Sequence, residues 1–146
     1  MRVEQRAATP TAVVRRRTTW DRFPAEWGPM LDEVYALVRA GEIEQDGHNV
    51  MVYRDLDDGG VEVEVGVQVG RPFASTGAVL SSELPGGKVA VTVHRGPYGR
   101  LGATHAALLQ WCATEGRSVA GPRWEIYGDW MEDENALETE IAYLLD

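Results

Sequence analysis

The chain has 146 residues, 44% of them hydrophobic and 25% charged, the balance of one folded domain over residues 1–146 rather than of a disordered segment. Its 23 acidic against 14 basic side chains give a net charge of −9, which repels a phosphate backbone, so no nucleic-acid partner is expected. No apolar run approaches the roughly 18 residues of a membrane helix, and the lone Cys112 excludes an internal disulfide and fits a reducing compartment, so a cytoplasmic chain with no membrane partner is expected. Charge is uneven along the chain. Arg2, Arg6, Arg15, Arg16, Arg17 and Arg22 crowd the start, while from Asp129 onward there are seven acidic residues and no basic one. Arg15-Arg16-Arg17 follows Ala12-Val13-Val14 and reads as a solvated strand end rather than a phosphate-binding arm.

In chain order, Ala12 to Thr18 is a β-branched strand. A helix follows, with Trp27, Leu31, Val34 and Val38 on one face of a 3.6-residue period, Pro24 in its first turn and Gly41 as its stop. Asn49 to Leu56 is a strand, Asp57-Asp58-Gly59-Gly60 a hairpin turn, and Val61 to Val69 a strand with valine at every second position. Pro85-Gly86-Gly87 interrupts the chain, and the same order then returns. Lys88 to His94 is a strand, and Gly99 to Glu115 a helix bearing Leu101, His105, Leu108 and Cys112 at the earlier helix's spacing. Gly116 stops it, and strands follow at Arg123 to Asp129 and Glu138 to Leu145.

The halves, about 1–84 and 85–146, align with Gly41 on Gly116, Tyr53 on Tyr127 and Glu64-Val65 on Glu140-Ile141. Each is strand-helix-strand-strand. The expected fold is α+β: two tandem modules forming a pseudo-twofold antiparallel sheet, with two helices on one side and a central ligand cleft. The strands of Tyr53 and Tyr127 are expected near the axis, with a groove on the sheet face that the helices leave bare.

Common catalytic motifs are absent. Gly86-Gly87-Lys88 suggests a phosphate loop, but Ser82 stands at the leading glycine and Val89 at the Ser/Thr position. His48, His94 and His105 lack metal-ligand spacing, so neither metal nor cofactor is expected. His105, on a helix's apolar face, reads as a packed core histidine.

The distinctive stretch is Gly121-Pro122-Arg123-Trp124-Glu125-Ile126-Tyr127-Gly128-Asp129-Trp130. In a strand, Trp124 and Ile126 face one way and Glu125 and Tyr127 the other. With Trp124 and Ile126 under the helices, Glu125 and Tyr127 stand in the groove, joined by Met51 and Tyr53 from the equivalent strand and by nearby Trp130. Tyrosines, tryptophan and methionine around one carboxylate suit flat lipophilic cations. The alternative is a surface glutamate beside ordinary edge packing.

The run His94-Arg95-Gly96-Pro97-Tyr98, Leu101, Thr104-His105, Ala107-Leu108, Trp111, Gly121-Pro122, Trp124 to Trp130 and Thr139-Glu140-Ile141 resembles the GyrI-like family, also called the effector-binding or bacterial transcription activator ligand-binding domain. The first half matches only in outline. The resemblance implies the tandem fold, Glu125 as the cleft's acidic residue, aromatic walls and hydrophobic, often cationic, small-molecule ligands. Many members carry a helix-turn-helix domain, for which this length leaves no room, so a stand-alone multidrug-binding member is the leading expectation. Tyr127, Tyr53, Met51, Trp130 and Tyr98 would form the stacking surface, with Trp20 (opposite Tyr98 in the repeat) and Phe73 as further wall candidates. The alternative is a hydrolase of reactive cyclopropane-containing natural products, with Glu125 as general base and Tyr127 donating a proton or hydrogen bond.

Overall fold

Val61 to Val69 is the most regular stretch in the sequence, and Val61, Val63, Val65 and Val67 are all fully buried. At about 1.5–3 kcal/mol per buried valine, that stripe alone fixes which face of the strand turns to the core. The computed structural model describes residues 1–146. Its strands are β1 (Arg2–Arg6), β2 (Thr9–Thr18), β3 (Gln45–Asp55), β4 (Val61–Val69), β5 (Val79–Leu84), β6 (Gly87–Arg95), β7 (Val119–Tyr127) and β8 (Glu138–Leu145). Its helices are α1 (Phe23–Arg39), between β2 and β3, and α2 (Leu101–Thr114), between β6 and β7.

All the strands join one antiparallel sheet in the order β1-β6-β8-β7-β3-β4-β2-β5. The order is the expected pseudo-twofold: β6-β8-β7 mirrors β2-β4-β3, and the halves meet where β3 pairs with β7, Met51 opposite Glu125. Both helices end on the same device. Gly41 (φ 76°) and Gly116 (φ 68°) take the left-handed conformation, and the next residue's N–H reaches back to Leu37 O and Cys112 O.

Two strands were not anticipated from the sequence. β1 pairs with β6, so the first half's leading strand adds to the second half, whereas β5, the last strand of the first half, pairs with β2 of its own half and precedes β6 as β1 precedes β2. Both lie on sheet edges, where backbone pairing rather than an apolar stripe holds them, so periodicity carries little signal.

The sheet is curled. Ala7-Ala8 joins β1 on one edge to β2 beside the other, and Pro85-Gly86 does the same for β5 and β6. Two residues span only about 10 Å, so the edges must lie close together. Trp124, Val13, Val50, Val52, Leu84, Val89, Val91 and Ala142 pack inside that curl. On the outer face α1 covers the valine stripe of β4, and Leu101, Leu108 and Cys112 of α2 cover Ile141, Tyr143 and Leu145. Each helix covers its own half, and the β3–β7 seam between them stays open. Neither helix is long and apolar enough to cross a membrane.

Candidate functional site

The open seam is a cleft of about 680 Å³. Its floor comes from β3 and β7 (Met51, Tyr53, Glu125, Tyr127). One wall comes from α1 and the turn before it (Trp20, Phe23, Trp27, Leu31, Tyr35), and Tyr98, Leu101 and Trp130 close the other side. The expected groove on the face bare of helices is therefore corrected: the cleft is on the helix-bearing face, between α1 and α2. Trp124 and Ile126 point away from the helices, because the curl gives the opposite face an apolar interior of its own.

Glu125 is nearly buried, with 5% of its surface exposed. Oε1 accepts from the Tyr53 and Tyr127 hydroxyls, both at 2.6 Å, and Oε2 accepts from His105 Nε2 at 2.7 Å. His105 Nδ1 is 2.7 Å from the Tyr143 hydroxyl. The pattern closes with His105 neutral: Nε2–H donates to Glu125, and Nδ1 accepts from Tyr143. Burial opposes the charge on Glu125, but the hydrogen bonds from His105, Tyr127 and Tyr53 outweigh it and hold the carboxyl below its ordinary range. Burial, reinforced by the Glu125 charge, pushes the Tyr53 and Tyr127 hydroxyls well up, and burial raises Tyr143 to about 12. With His105 in that neutral form, the floor carries one negative charge held by neutral donors. The Met51 sulfur lies 3.4 and 3.5 Å from the two tyrosine oxygens, a polarizable patch beside the carboxylate.

The aromatics form two clusters related by the repeat. Trp20 packs on Tyr53 (centroids 5.2 Å apart) and on Phe23, and Tyr98 packs edge-on to Tyr127 at 5.4 Å. The Arg123 guanidinium lies 5.7 Å from the Tyr53 ring centre and 5.9 Å from that of Trp20, so this cluster already accepts a cation on its outer side. At the rim His48 Nε2 is 2.9 Å from Asp129, and Tyr35 hydrogen-bonds Asn49.

Of the residues expected at the site, Glu125, Tyr127, Tyr53, Met51, Tyr98, Trp20 and Trp130 line the cleft. Trp130 is a rim residue, 74% exposed. Phe73 is corrected: it borders a separate hollow with Gly41, Ile43 and Val69, because the chain after β4 turns away from the seam. The sequence reading missed His105, whose hydrogen-bond partner is the central carboxylate, and the α1 wall of Trp27, Leu31 and Tyr35. The signal was present in the helix period, which places Trp27 and Leu31 on one face and Leu101 and His105 on the matching face of α2. No cluster of His, Cys, Asp and Glu is arranged to hold a metal ion.

Residues 1–144 match the family model of the GyrI-like small molecule binding domain. Among solved structures, the fold is similar to EcmrR in its DNA complex, at TM-score 0.79 and 17% identity over 99% of this chain; the chain spans only 56% of that one. It is similar to SAV2435 bound to tetraphenylphosphonium, at 0.73 and 13%, over 99% of this chain and 93% of the other. A hydrolase from Listeria innocua gives 0.67 and 14%, over 99% and 91%. At these identities the likeness shows the fold alone. No curated protein sequence matches the chain.

Proposed function

Because the chain belongs to the GyrI-like small molecule binding domain family, we propose that its cleft takes hydrophobic, often cationic, molecules of varied shape, as a multidrug-binding protein does. The observation that carries this reading is Glu125, a buried carboxylate surrounded by hydroxyl and imidazole donors with no cationic side chain against it. A lipophilic cation supplies the missing charge. The walls contribute about 0.5–2 kcal/mol per good cation–π contact without demanding a fixed hydrogen-bond pattern. The similar SAV2435 fold holding tetraphenylphosphonium supports the choice of that ion as a probe.

The test is a titration of tetraphenylphosphonium and of a rhodamine dye into the wild type and Glu125→Gln. Micromolar binding that weakens at least about tenfold in the variant, roughly 1.4 kcal/mol, is expected. Equal binding by both would remove Glu125 from recognition.

A hydrolytic reading has one observation in its favour: the Tyr127 hydroxyl stands beside Glu125 in the cleft, so a proton or hydrogen-bond donor for a leaving group is next to the carboxylate that would act as base. Against it, the carboxyl is held below its ordinary range, the wrong direction for a base working near neutrality. A cyclopropane-containing electrophile recovered unchanged after many equivalents decides for binding.

A further inference from the structure

The repeat makes the two sides of the cleft comparable position by position, and they differ in one coherent way. Leu31 of α1 stands where His105 stands in α2, and Met51 of β3 stands opposite Glu125 at the same offset along the chain. The tyrosines, by contrast, are kept on both sides. The first half therefore has an apolar helix–strand pair where the second has a histidine–glutamate pair 2.7 Å apart. His105 does not itself line the cleft; it stands behind the carboxylate, tied at its other nitrogen to Tyr143. A residue that merely filled space there would repeat Leu31.

From this juxtaposition we infer that His105 is a positioning residue that sets the charge Glu125 presents to the ligand, so that protons and lipophilic cations compete for the same site. The inference rests on the cleft reading proposed above. With His105 neutral, Glu125 faces the ligand as a full carboxylate. A proton on Nδ1 turns the Tyr143 hydroxyl from donor to acceptor and places an imidazolium against Oε2. Glu125 is then already paired, the floor is electrically neutral, and a cationic ligand loses its counter-charge, whereas an uncharged ligand of the same shape loses almost nothing.

The ionisable groups around His105 are few. Glu125 of β7 stands in front and Tyr143 of β8 behind. Tyr53 and Tyr127 stand beyond the carboxylate, and Arg123, Asp55 and Cys112 lie close enough to act on Tyr143. Both tyrosines on the carboxylate are held above their ordinary range, so neither supplies charge change in mildly acid solution.

The experiment follows tetraphenylphosphonium, which has no titratable group, and an uncharged tetraphenyl analogue from pH 8 to pH 5.5. In the wild type, cation affinity is expected to fall at least about fivefold towards acid pH while the uncharged analogue changes less than about twofold. Calorimetry in buffers of different ionisation enthalpy should record proton release when the cation binds near pH 6.5. His105→Gln keeps an N–H donor for Glu125 and takes up no proton; it should bind the cation as the wild type does at pH 8 and stay flat down to pH 5.5, without proton release. A wild-type affinity independent of pH, with binding still lost in Glu125→Gln, would overturn the role of His105 and leave the cleft reading standing. A His105→Gln protein that keeps the acid weakening would do the same. Failure of the wild type to bind the cation at any pH would remove both together. The calorimetric arm on the wild type decides the matter even if the variant does not fold.

Discussion

Two glutamates are buried in this sheet, and they are held by different partners. Glu64 of β4 is 1% exposed and Glu125 of β7 is 5% exposed, so burial alone does not tell them apart. Glu64 is answered by two cations, Arg15 at 3.0 Å and Arg54 at 3.2 Å, with the Ser82 hydroxyl donating at 2.8 Å. Glu125 is answered only by tyrosine hydroxyls and an imidazole. The first charge is neutralised within the fold and has nothing left to offer. The second is stabilised by dipoles, which lower its cost without cancelling its field. On the proposed reading, it is the carboxylate with neutral donors facing an open cleft, and not the ion-paired one, that is left to meet a ligand.

Paired substitutions at the two positions test that contrast most severely. Glu64→Gln leaves Arg15 and Arg54 converging on an uncharged group. Breaking a fully buried ion pair costs about 3–5 kcal/mol, but these arginines keep 42% and 33% of their side-chain surface exposed and rehydrate, so a loss of about 2 kcal/mol is expected. Glu125→Gln should do the reverse. Its amide oxygen accepts from both tyrosines and its NH₂ donates to His105, which switches tautomer and donates to Tyr143. Stability by urea denaturation should then change by less than about 1 kcal/mol. Glu64→Gln is expected to leave tetraphenylphosphonium affinity within about twofold, so binding and stability separate cleanly. A Glu64→Gln protein that keeps its stability but loses the ligand would undo the distinction.

Removing single donors sharpens it. Tyr53→Phe or Tyr127→Phe deletes one hydrogen bond to a charged group, an interaction of about 1.5–3 kcal/mol, and the carboxyl rises towards its ordinary range. The sign follows from the depressed carboxyl. Its ionised contribution is complete above the unfolded carboxyl value and is lost as pH falls through the lower folded one. Each variant should therefore lose cation affinity at a higher pH than its parent. Measured between pH 7 and pH 4 in a His105→Gln background, where the imidazole no longer intervenes, the midpoint should move upward. A midpoint unmoved by both substitutions would mean that the tyrosines do not hold the charge.

The sequence carried the repeat, the helices, the central strand pairing and the floor of the site, because each has a local signature. Valine alternation marks β4, the spacing from Trp27 to Val38 marks α1, and Trp124 to Trp130 puts large groups on both faces of one strand. It did not carry the curl. Only the short links Ala7-Ala8 and Pro85-Gly86, read with the strand order, show that the edges come together, and strand order is a long-range property. That omission moved the groove to the wrong face, since Trp124 was assigned to the helices rather than to the sheet's own interior. His105 is, as its apolar helix face suggested, a largely buried ring with both nitrogens satisfied, but its place beside Glu125 was not legible. An apolar helix face predicts burial, but not which buried group the ring will meet.

The smallest expected effects lie at the margins of the cleft, and they separate wall from neighbourhood. Trp130 lines the rim at 74% exposure, so a ligand can cover only part of it. Contacts of a cation with an aromatic face at exposed sites are worth about 0.5–1 kcal/mol, so Trp130→Ala should weaken tetraphenylphosphonium about two- to fivefold. Phe73 was drawn into the same aromatic set by composition, yet it packs against the α1 half of the core beside a different hollow. Phe73→Ala should lower stability through lost packing and leave tetraphenylphosphonium affinity unchanged, since no atom of Phe73 borders the seam. A Phe73→Ala loss equal to that of Trp130→Ala would mean that the cleft depends on the packing of the whole first half rather than on the side chains that line it. A seam whose lining side chains act one by one would then be the wrong picture of the proposed site.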